Sequence, residues 1–432
     1  MKIAIIGTGY VGLPTGVGFA ELGHNVVCID KDIKKIKSLQ AGKITLFEKG
    51  LEELLQSNIA SGRLSFTDSM ADGLLDAEVV ILAVGTPMDD ATGQADLTYI
   101  YAATKELAPH IKKYTVIATK STVPVGTGDT IEKIIQEINP HANCDVVSLP
   151  EFLREGFAVY DFFHPDRVVV GTDSVRARNV ITNLYSVYEN IPKLFFTDRR
   201  SSELIKYVSN AFLSVKIHFI NEIADMCELI GANIYDVAAG MGMDTRIGNK
   251  FLNPGPGFGG SCFPKDTKAL QFIANHCGAN LSLVDATILG NDDRIKRIAN
   301  RIITSIDGVK NPKIAVWGLA FKAGTDDIRK SPAIDIIHEL LAYGAAICAY
   351  DPKAIETTRE ELQDTISYAS NAQEATQNAD ILVVLTEWSE FRAVKLNELN
   401  MKSKIIMDMR NIINREDATK AGFKIQTIGL TK

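Results

Sequence analysis

The sequence predicts an α/β protein with two Rossmann-like, doubly wound domains, joined by a long central helix and a helical dimerisation region. Strand-like and helix-like segments alternate at both ends of the chain, which is typical of parallel sheets covered by helices. Between these two series, apolar residues recur at helical spacing over residues 201–230. The predicted limits are residues 1–196 for the first domain, 197–300 for the central region and 301–432 for the last domain.

Composition narrows the class of protein. The 432 residues are too many for one ordinary domain, and 46% hydrophobic with 23% charged residues is usual for a soluble globular chain. The net charge of −7 argues against general nucleic-acid binding. No apolar run approaches the roughly 18–20 residues of a membrane span, and the N-terminal segment does not resemble a secretory signal. We therefore expect a cytoplasmic protein with neither nucleic-acid nor membrane partners.

The cysteines and histidines do not predict a metal site. The six cysteines are scattered without a CxxC pair, so reduced thiols are expected rather than a disulfide framework or a zinc site. The seven histidines form no HExxH or similar cluster.

The first candidate site is a glycine-rich turn near the N-terminus. The motif GTGYVG, with Gly7, Gly9 and Gly12, lies between a predicted strand and a predicted helix, and the next strand ends at Asp30. Such glycines let the backbone approach a pyrophosphate, and the acid accepts hydrogen bonds from ribose hydroxyls. Because Asp30 would repel a 2′-phosphate, the pattern favours NAD over NADP. A Rossmann-like unit without a nucleotide is the alternative.

Further candidates follow the later strands of the first domain. Strands are predicted over residues 78–84, 115–119, 144–148 and 168–171. In open parallel sheets, ligands bind beyond the carboxyl ends of the strands. Four polar residues fall there, and each could instead cap its own loop: Thr86, Thr122, Glu151 and Glu155.

The central helix is predicted from about residue 201 to Gly231, roughly 45 Å at 1.5 Å per residue. That length suggests a bridge between domains and a dimer surface, although two packed helices with a kink are the alternative. Lys206 and Asn210 are four residues apart and therefore share one helix face. They could form a solvated face, or could both donate hydrogen bonds to a developing oxyanion.

The segment FLNPGPGFGGSCFPKD, residues 251–266, is a glycine-rich loop that ends in a cysteine. Its four glycines, together with its prolines, exclude a regular helix or strand and make a loop whose backbone can approach a ligand closely. Cys262 precedes Lys265 and Asp266 by three and four residues. A cysteine in this setting could be a nucleophile, and the alternative is a buried structural residue.

The C-terminal part predicts a second β-α-β series. A helix is expected over residues 285–303, and strands over 313–316, 346–350, 381–385 and 404–407. This series lacks GxGxxG and need not bind a dinucleotide. Lys322, Arg329 and Arg410 follow its strands and could bind phosphates, or could be ordinary surface charges.

Seven motifs together resemble the UDP-glucose/GDP-mannose dehydrogenase family over essentially the whole chain: GTGYVG, KSTVPVG, PEFLREG, KYVSN, GFGGSCFPKD, GLAFK and DDIRKSP. The resemblance implies an NAD-dependent, four-electron oxidation of UDP-glucose to UDP-glucuronate by a homodimer or larger assembly. The same chemistry on GDP-mannose or a UDP-N-acetyl-hexosamine, a two-electron dehydrogenase, and a non-enzymatic nucleotide-sugar sensor are alternatives.

The resemblance also implies individual catalytic roles. Cys262 would capture the aldehyde-level species, and Asp266 would handle protons through water near Thr122. Lys206 and Asn210 would stabilise oxyanions, and Glu151 would assist thioester hydrolysis.

Binding positions carried over by the same motifs fall into two sets. The cofactor set is Gly7, Gly9, Tyr10, Val11, Gly12, Asp30, Lys35, Thr86, Thr122, Glu155, Lys265 and Arg329. The nucleotide-sugar set is Glu151, Phe152, Leu153, Arg154, Glu155, Lys206, Asn210, Arg246, Phe251, Leu252, Asn253, Pro254, Gly255, Gly259, Lys322 and Arg410. Arg246 would be supplied by the partner subunit.

Overall fold

The structure is a computed structural model that describes residues 1–89 and 92–430. The chain forms two compact units, Met1–Ser209 and Asn210–Lys432, and their boundary falls within one long helix. Each unit contains its own sheet and its own apolar cores.

The first unit is built on a mostly parallel sheet. Its strands are β1 (Lys2–Ile6), β2 (Asn25–Ile29), β3 (Leu64–Thr67), β4 (Val79–Leu82), β5 (Thr115–Thr119), β6 (Cys144–Ser148), β7 (Val168–Gly171) and β8 (Leu194–Thr197). They lie in the order β3-β2-β1-β4-β5-β6-β7-β8, and the β6–β7 pair is antiparallel. The first six positions reproduce the strand order of a dinucleotide-binding sheet.

Helices cover both faces of this sheet. They are α1 (Gly12–Glu21), α2 (Ile33–Gln40), α3 (Leu51–Ala60), α4 (Met70–Leu74), α5 (Thr98–Leu107), α6 (Thr127–Ile138), α7 (Ala158–Phe163) and α8 (Val175–Tyr185), with a 3₁₀ turn at Ala108–His110. Alternate residues of β1 enter opposite cores: Ile3 and Ile5 one, Ala4 and Ile6 the other. This alternation is expected of a strand that is buried on both faces.

The central helix, α9, runs over Arg199–Ile230 as one element of 32 residues. The prediction of a single long helix is therefore confirmed. Gly231, at φ 80°, ends the helix in the left-handed conformation that favours glycine. Three helices follow: α10 (Ile234–Gly242), α11 (Phe263–His276) and α12 (Ser282–Thr304).

The second unit repeats the same strand order. Its strands are β9 (Lys313–Trp317), β10 (Ala346–Tyr350), β11 (Ser367–Tyr368), β12 (Ile381–Val384), β13 (Ile405–Asp408) and β14 (Lys424–Thr427). They lie in the order β11-β10-β9-β12-β13-β14, and each neighbouring pair is parallel. The predicted fold class, with two Rossmann-like sheets and a long helix, is confirmed.

The remaining helices complete this second sheet. They are α13 (Pro332–Ala342), α14 (Ile355–Leu362), α15 (Ala372–Ala375), α16 (Ser389–Arg392) and α17 (Arg415–Lys420), with 3₁₀ turns at Gln363–Thr365 and Leu396–Glu398. Pro332 occupies the first position of α13, where its missing N–H leaves no donor unsatisfied. Across the described ranges 1–89 and 92–430, no helix is both long and apolar enough to span a bilayer.

Candidate active site

The turn between β1 and α1 leaves open space at one of its three glycines. A Cβ on Gly7 would lie 2.5 Å from the carbonyl oxygen of Ala83, and a Cβ on Gly12 would lie 1.9 Å from the carbonyl oxygen of Gly7. These two glycines are therefore needed for packing of the turn itself. A Cβ on Gly9 would meet nothing within 4 Å. The arrangement fits a pyrophosphate that approaches the backbone at Gly9, beside the N-terminus of α1.

Asp30, at the end of β2, is held against this turn. Its Oδ2 accepts the amide of Thr8 at 2.9 Å and the hydroxyl of Thr8 at 2.6 Å, and its Oδ1 accepts the amide of Asp32 at 3.1 Å. Lys35 Nζ lies 3.5 Å from Oδ2. Burial alone would raise the pKa of Asp30, but these hydrogen bonds and the lysine lower it overall. The carboxylate is therefore ionised at neutral pH, which the predicted exclusion of a 2′-phosphate requires.

The ends of β4 and β5 bring Thr86 and Thr122 together. The Thr86 hydroxyl donates to the carbonyl oxygen of Thr122 at 2.9 Å. The hydroxyl of the neighbouring Ser121 donates to the carbonyl oxygen of Val84 at 2.7 Å. Two residues that the sequence placed at the ends of separate strands are thus joined by a hydrogen bond between their loops.

A buried ion pair joins the loop after β6 to helix α9. Lys206 Nζ lies 2.9 Å from Glu151 Oε1, and both side chains are almost fully buried. The same ammonium lies 5.3 Å from the centre of the Phe152 ring. Both residues of the pair were predicted site residues, and the structure brings them into direct contact.

Lys120, at the end of β5, was not predicted from the sequence. Its side chain is buried, and burial lowers its pKa to about 8, with Glu151 opposing and Lys206 adding to the shift. Two lysines therefore share the surroundings of one carboxylate. A lysine within a Ser/Thr-rich turn carries no periodic signal that would reveal its burial.

The remainder of the PEFLREG loop, residues 150–156, is held by two carboxylates that lie outside the motif. Arg154 donates from Nε and Nη2 to Asp161 at 2.8 and 2.6 Å. The side chain of Glu48 is buried, and its carboxylate accepts the amides of Gly156 and Ala158, each at 2.8 Å. Glu48 lies more than 100 residues away along the chain, and the motif gave no indication of it.

In the second unit, Cys262 immediately precedes α11 and Asp266 lies one turn inside that helix, so the prediction of a loop is wrong over residues 263–266. Asp266 is 1% exposed. Its Oδ2 accepts from Asn210 Nδ2 at 2.6 Å, and its Oδ1 accepts from Lys265 Nζ at 2.7 Å. The Asp266 amide donates to the carbonyl oxygen of Cys262 at 2.8 Å. Four predicted site residues therefore form one connected group at the start of α11.

Three buried polar side chains hold the glycine loop that leads to Cys262. Asn221, on α9, accepts the amide of Gly255 at 2.8 Å, and Arg294, on α12, donates to the Gly255 carbonyl oxygen at 2.8 Å. Asn291 accepts the amide of Phe258 at 2.9 Å and donates to its carbonyl oxygen at 3.1 Å.

None of these three was predicted. Asn221 could have been found, because it lies 11 residues after Asn210 on a 3.6-residue helix and so shares its face.

The predicted phosphate-binding cations differ in their surroundings. Arg410 donates to the carbonyl oxygens of Leu385 and Phe321, at 2.8 and 3.0 Å, and a Cβ on Gly255 would lie 3.1 Å from its guanidinium. Lys322 Nζ lies 5.4 Å from the centre of the Phe321 ring.

Two further predicted arginines each pair with a nearby aspartate. Arg329 forms an ion pair with Asp327 at 2.6 Å. Arg246 pairs with Asp244 at 2.5 Å, and its side chain is 88% exposed.

The first residues of the glycine loop have unequal access to a ligand. Leu252 is 3% exposed and belongs to the apolar core of the second unit, so only its backbone is available for a contact. Phe251 adopts φ 64°, an uncommon conformation for a bulky residue. Asn253 is exposed, whereas Pro254 is buried.

No group of three or more His, Cys, Asp or Glu side chains is arranged to hold a metal ion in the part of the chain that the structure describes. The six cysteines are all unbridged.

Comparison with known proteins assigns the whole chain. Models of the UDP-glucose/GDP-mannose dehydrogenase family match in three regions: the NAD binding domain over residues 1–189, the central domain over 200–293 and the UDP binding domain over 315–415. A UDP-glucose 6-dehydrogenase from Rhizobium meliloti (strain 1021) is 51% identical over 99% of both chains.

Solved structures agree with this assignment. A UDP-glucose dehydrogenase from Pyrobaculum islandicum matches at a TM-score of 0.91 and 33% identity, covering 100% of this chain and 96% of that one. A UDP-D-ManNAc dehydrogenase from Pyrococcus horikoshii matches at 0.86 and 27% identity, covering 99% of both. With all three family regions matched in order, the chain belongs to the UDP-glucose/GDP-mannose dehydrogenase family.

Proposed function

We propose that this protein is an NAD-dependent UDP-glucose 6-dehydrogenase that converts UDP-glucose, two NAD⁺ and water to UDP-glucuronate, two NADH and the released protons. One observation carries the proposal: Cys262 immediately precedes α11, and the buried Asn210–Asp266–Lys265 group lies one turn beyond it. A nucleophile beside a buried, hydrogen-bonded carboxylate is suited to oxidation beyond the aldehyde. The 51% identity to a UDP-glucose 6-dehydrogenase supports this substrate.

Functions are divided along the chain as the sequence predicts. Residues 1–196 bind the cofactor, 197–300 supply the nucleophile, and 301–432 bind the nucleotide part of the substrate. When bound, NAD⁺ accepts the hydride that each oxidation removes from C6 of the sugar. Asp30 and Lys35 bind and orient the adenosine ribose, and the open backbone at Gly9 accommodates the pyrophosphate.

Cys262 carries the substrate through the second oxidation. After the alcohol has lost a proton and a hydride, the thiolate adds to the aldehyde carbon, and the carbonyl oxygen takes a proton to give a thiohemiacetal. Loss of a second hydride and of the hydroxyl proton leaves a thioester. Water then adds to the thioester carbon, the C–S bond breaks, and the carboxylate and the Cys262 thiolate are released.

The polar residues move protons and stabilise charge. Asp266 receives the alcohol proton through water, and its contacts with Asn210 and Lys265 hold it in place. The Asn210 amide has two N–H groups, so one can donate to Asp266 while the other donates to a substrate oxyanion. Lys206 serves the same oxyanions, and Glu151, its ion-pair partner, activates the water that opens the thioester.

A substrate panel tests the proposal. Purified protein is supplied with NAD⁺ and, separately, UDP-glucose, GDP-mannose and UDP-N-acetyl-hexosamines, and NADH is measured per sugar consumed. We expect two NADH per UDP-glucose and much slower reactions with the other sugars. One NADH per sugar would contradict the four-electron reaction, and no NADH with any sugar would contradict an enzymatic role.

Two Cys262 variants test the covalent step. Cys262→Ala should bind both ligands but lose overall turnover by several orders of magnitude, as when a covalent step is removed. Cys262→Ser can still attack, but its ester should hydrolyse more slowly, so a sugar adduct should be visible in the intact mass. Full turnover in the alanine variant would make Cys262 a structural residue.

The active form is a homodimer or larger assembly. Phe212, Phe219 and Met226 recur every seven residues on α9 and are 62%, 45% and 47% exposed. A row of exposed large apolar side chains is typical of an association surface. The exposed Arg246 is available to the partner subunit's substrate site, so activity should depend on assembly.

A further inference from the structure

Glu203 is a buried carboxylate to which no role has yet been assigned. It lies on α9, three residues before Lys206, and its side chain is 2% exposed. Its Oε2 accepts the amide of Gly126 at 2.6 Å, and its Oε1 accepts the amide of Gly128 at 2.7 Å. Both amides belong to the N-terminal end of α6, more than 70 residues away along the chain.

These two hydrogen bonds fix one end of the segment that carries Thr122. Residues 120–126 connect β5 to α6, and Gly128 lies in the first turn of α6. The other end of the segment is held by the Thr86 hydroxyl on the Thr122 carbonyl oxygen and by the Ser121 hydroxyl on Val84. Glu203 holds the end of the segment near α6, and it does so from the helix that also presents Lys206. Thr122 therefore lies in a segment that is hydrogen-bonded to the loop after β4 at one end and to α9 at the other.

Ordinary helix capping does not account for this arrangement. A helix N-terminus is usually capped by a small polar residue adjacent in sequence, at little cost in desolvation. Here burial raises the pKa of Glu203, although the two amides and Arg199 act in the opposite direction. The fold thus accepts a buried carboxylate where a local serine would satisfy an amide at lower cost.

Docking of α6 on α9 does not require Glu203 either. Arg199, on α9, already pairs with Asp129 at 2.7 Å and with Glu132 at 2.6 Å on α6. The contacts of Glu203 differ because both are made to backbone, at the start of the helix. The two hydrogen bonds of Glu203 therefore fix the position of the segment that precedes α6.

We propose that Glu203 is a positioning residue that holds Thr122 in fixed relation to Lys206 by clamping the amides of Gly126 and Gly128. This role rests on the proposed function, in which Lys206 stabilises the oxyanions, and on the role in proton handling with Asp266 that the family resemblance implies for Thr122. A displacement of about 1 Å in a catalytic group can lower a rate on the order of 100-fold, so the loss of one clamp contact should be visible in turnover.

Glu203→Gln is the direct test. A glutamine has one carbonyl oxygen, so it can accept one of the two amides, and its NH₂ group would face the other. With UDP-glucose and NAD⁺, we expect kcat to fall about 10- to 100-fold while both KM values stay within about twofold. Hydrogen exchange at residues 120–128 should become faster.

Glu132→Gln is the matched control. It removes a charge that pairs α6 with α9 but leaves the clamp intact, and we expect kcat within about twofold of wild type. Gly128→Ala is a second, milder perturbation, because its Cβ would lie 3.1 Å from Glu203 Oε1 and 3.2 Å from Arg199 Cδ. It should lower kcat less than Glu203→Gln does. If the Glu203→Gln variant fails to fold, Gly128→Ala tests the same contact in its place.

The outcomes separate this role from others. Unchanged kcat in both Glu203→Gln and Gly128→Ala, with faster exchange at residues 120–128, would show a helix cap only and overturn the proposal. Equal losses in Glu203→Gln and Glu132→Gln would assign the effect to docking of α6. If wild-type protein forms no NADH, the proposed function is wrong, and the role of Glu203 in positioning Thr122 for that reaction is wrong as well.

Discussion

Gly259 provides a steric test of how the cysteine loop is held. A Cβ at this position would lie 2.2 Å from the carbonyl oxygen of Lys330 and 2.7 Å from Cδ of Pro332. Both neighbours belong to the rigid start of α13, where Ser331 caps the helix and Pro332 fixes the backbone. Because neither atom is the end of a flexible side chain, Gly259→Ala must displace the loop itself.

The size of the effect follows from the overlap. Ordinary van der Waals contacts begin near 3.4 Å, so the loop must move by about 1 Å to accept the new methyl group. Cys262 is three residues further on. A displacement of that size at a nucleophile should lower turnover on the order of 100-fold. Overpacking should also destabilise the second unit by roughly 1–3 kcal/mol.

The assay is the initial rate of NADH formation at saturating UDP-glucose and NAD⁺, with NAD⁺ binding measured separately by fluorescence. Binding of NAD⁺ should be retained, since the Gly9 turn lies in the other unit. Gly240→Ala is the control: Gly240 lies inside α10 with nothing within 4 Å of its Cβ position, so alanine should be neutral or stabilising by about 0.4–1 kcal/mol. Wild-type turnover in Gly259→Ala would refute this description of the loop.

Three other substitutions test other parts of the structure. Asp30→Asn should narrow the preference for NAD⁺ over NADP⁺ in kcat/KM, and an unchanged preference would remove Asp30 from the cofactor site. Because burial lowers the pKa of Lys120 to about 8, the folded protein loses this proton before the unfolded chain does, so wild-type stability gains from this group as pH rises above 8. Lys120→Met should therefore raise the melting temperature more at pH ~7 than at pH ~10, and equal shifts would contradict the lowered pKa. Phe212→Glu should dissociate the assembly and lower activity together, as measured by light scattering and NADH formation; a monomer with full activity would contradict the proposed dimer.

Local patterns were sufficient to predict ten of the fourteen strands that the structure describes, but β3, β8, β11 and β14 were not predicted. Asp30 could be assigned because the strand, turn and helix that place it lie within 30 residues. Helix α9 could be assigned because its apolar residues keep one period over 32 residues. For Asp30 the residues that identify it are close in sequence, and for α9 the apolar repeat is regular.

The residues that support the site could not be predicted in this way. Glu48 and Glu203 contact amides more than 70 residues away, and nothing near either residue in sequence marks it as buried. Arg294 is charged and lies on a helix, which usually indicates a solvated face, yet it is 3% exposed and donates to Gly255. The burial of these three side chains depends on how distant segments pack together, and neither the composition of the chain nor the spacing of its apolar residues predicts that packing.

The two sheets also show why one strand order can serve different ligands. Gly318, at φ 97°, occupies in the second sheet the place of Gly7, at φ 99°, in the first, and each follows the first strand of its sheet. Asp351 follows the second strand, as Asp30 does in the first sheet.

The acceptor sites of these two aspartates are filled to different extents. Asp351 accepts five hydrogen bonds, from the amides of Leu319, Ala320, Lys353 and Ala354 and from the indole N–H of Trp388. A carboxylate offers about four lone-pair sites, so Asp351 has no capacity for a ribose hydroxyl.

Asp30 accepts three hydrogen bonds, two from Thr8 and one from Asp32, and its ion pair with Lys35 is long at 3.5 Å. It retains an acceptor site for a ribose. The difference between a dinucleotide turn and its structural counterpart therefore lies in the occupancy of one carboxylate as much as in the missing glycines. In the second sheet, we propose that recognition of a ligand falls instead to cations such as Arg410, whose guanidinium lies beside Gly255 in the loop that leads to Cys262.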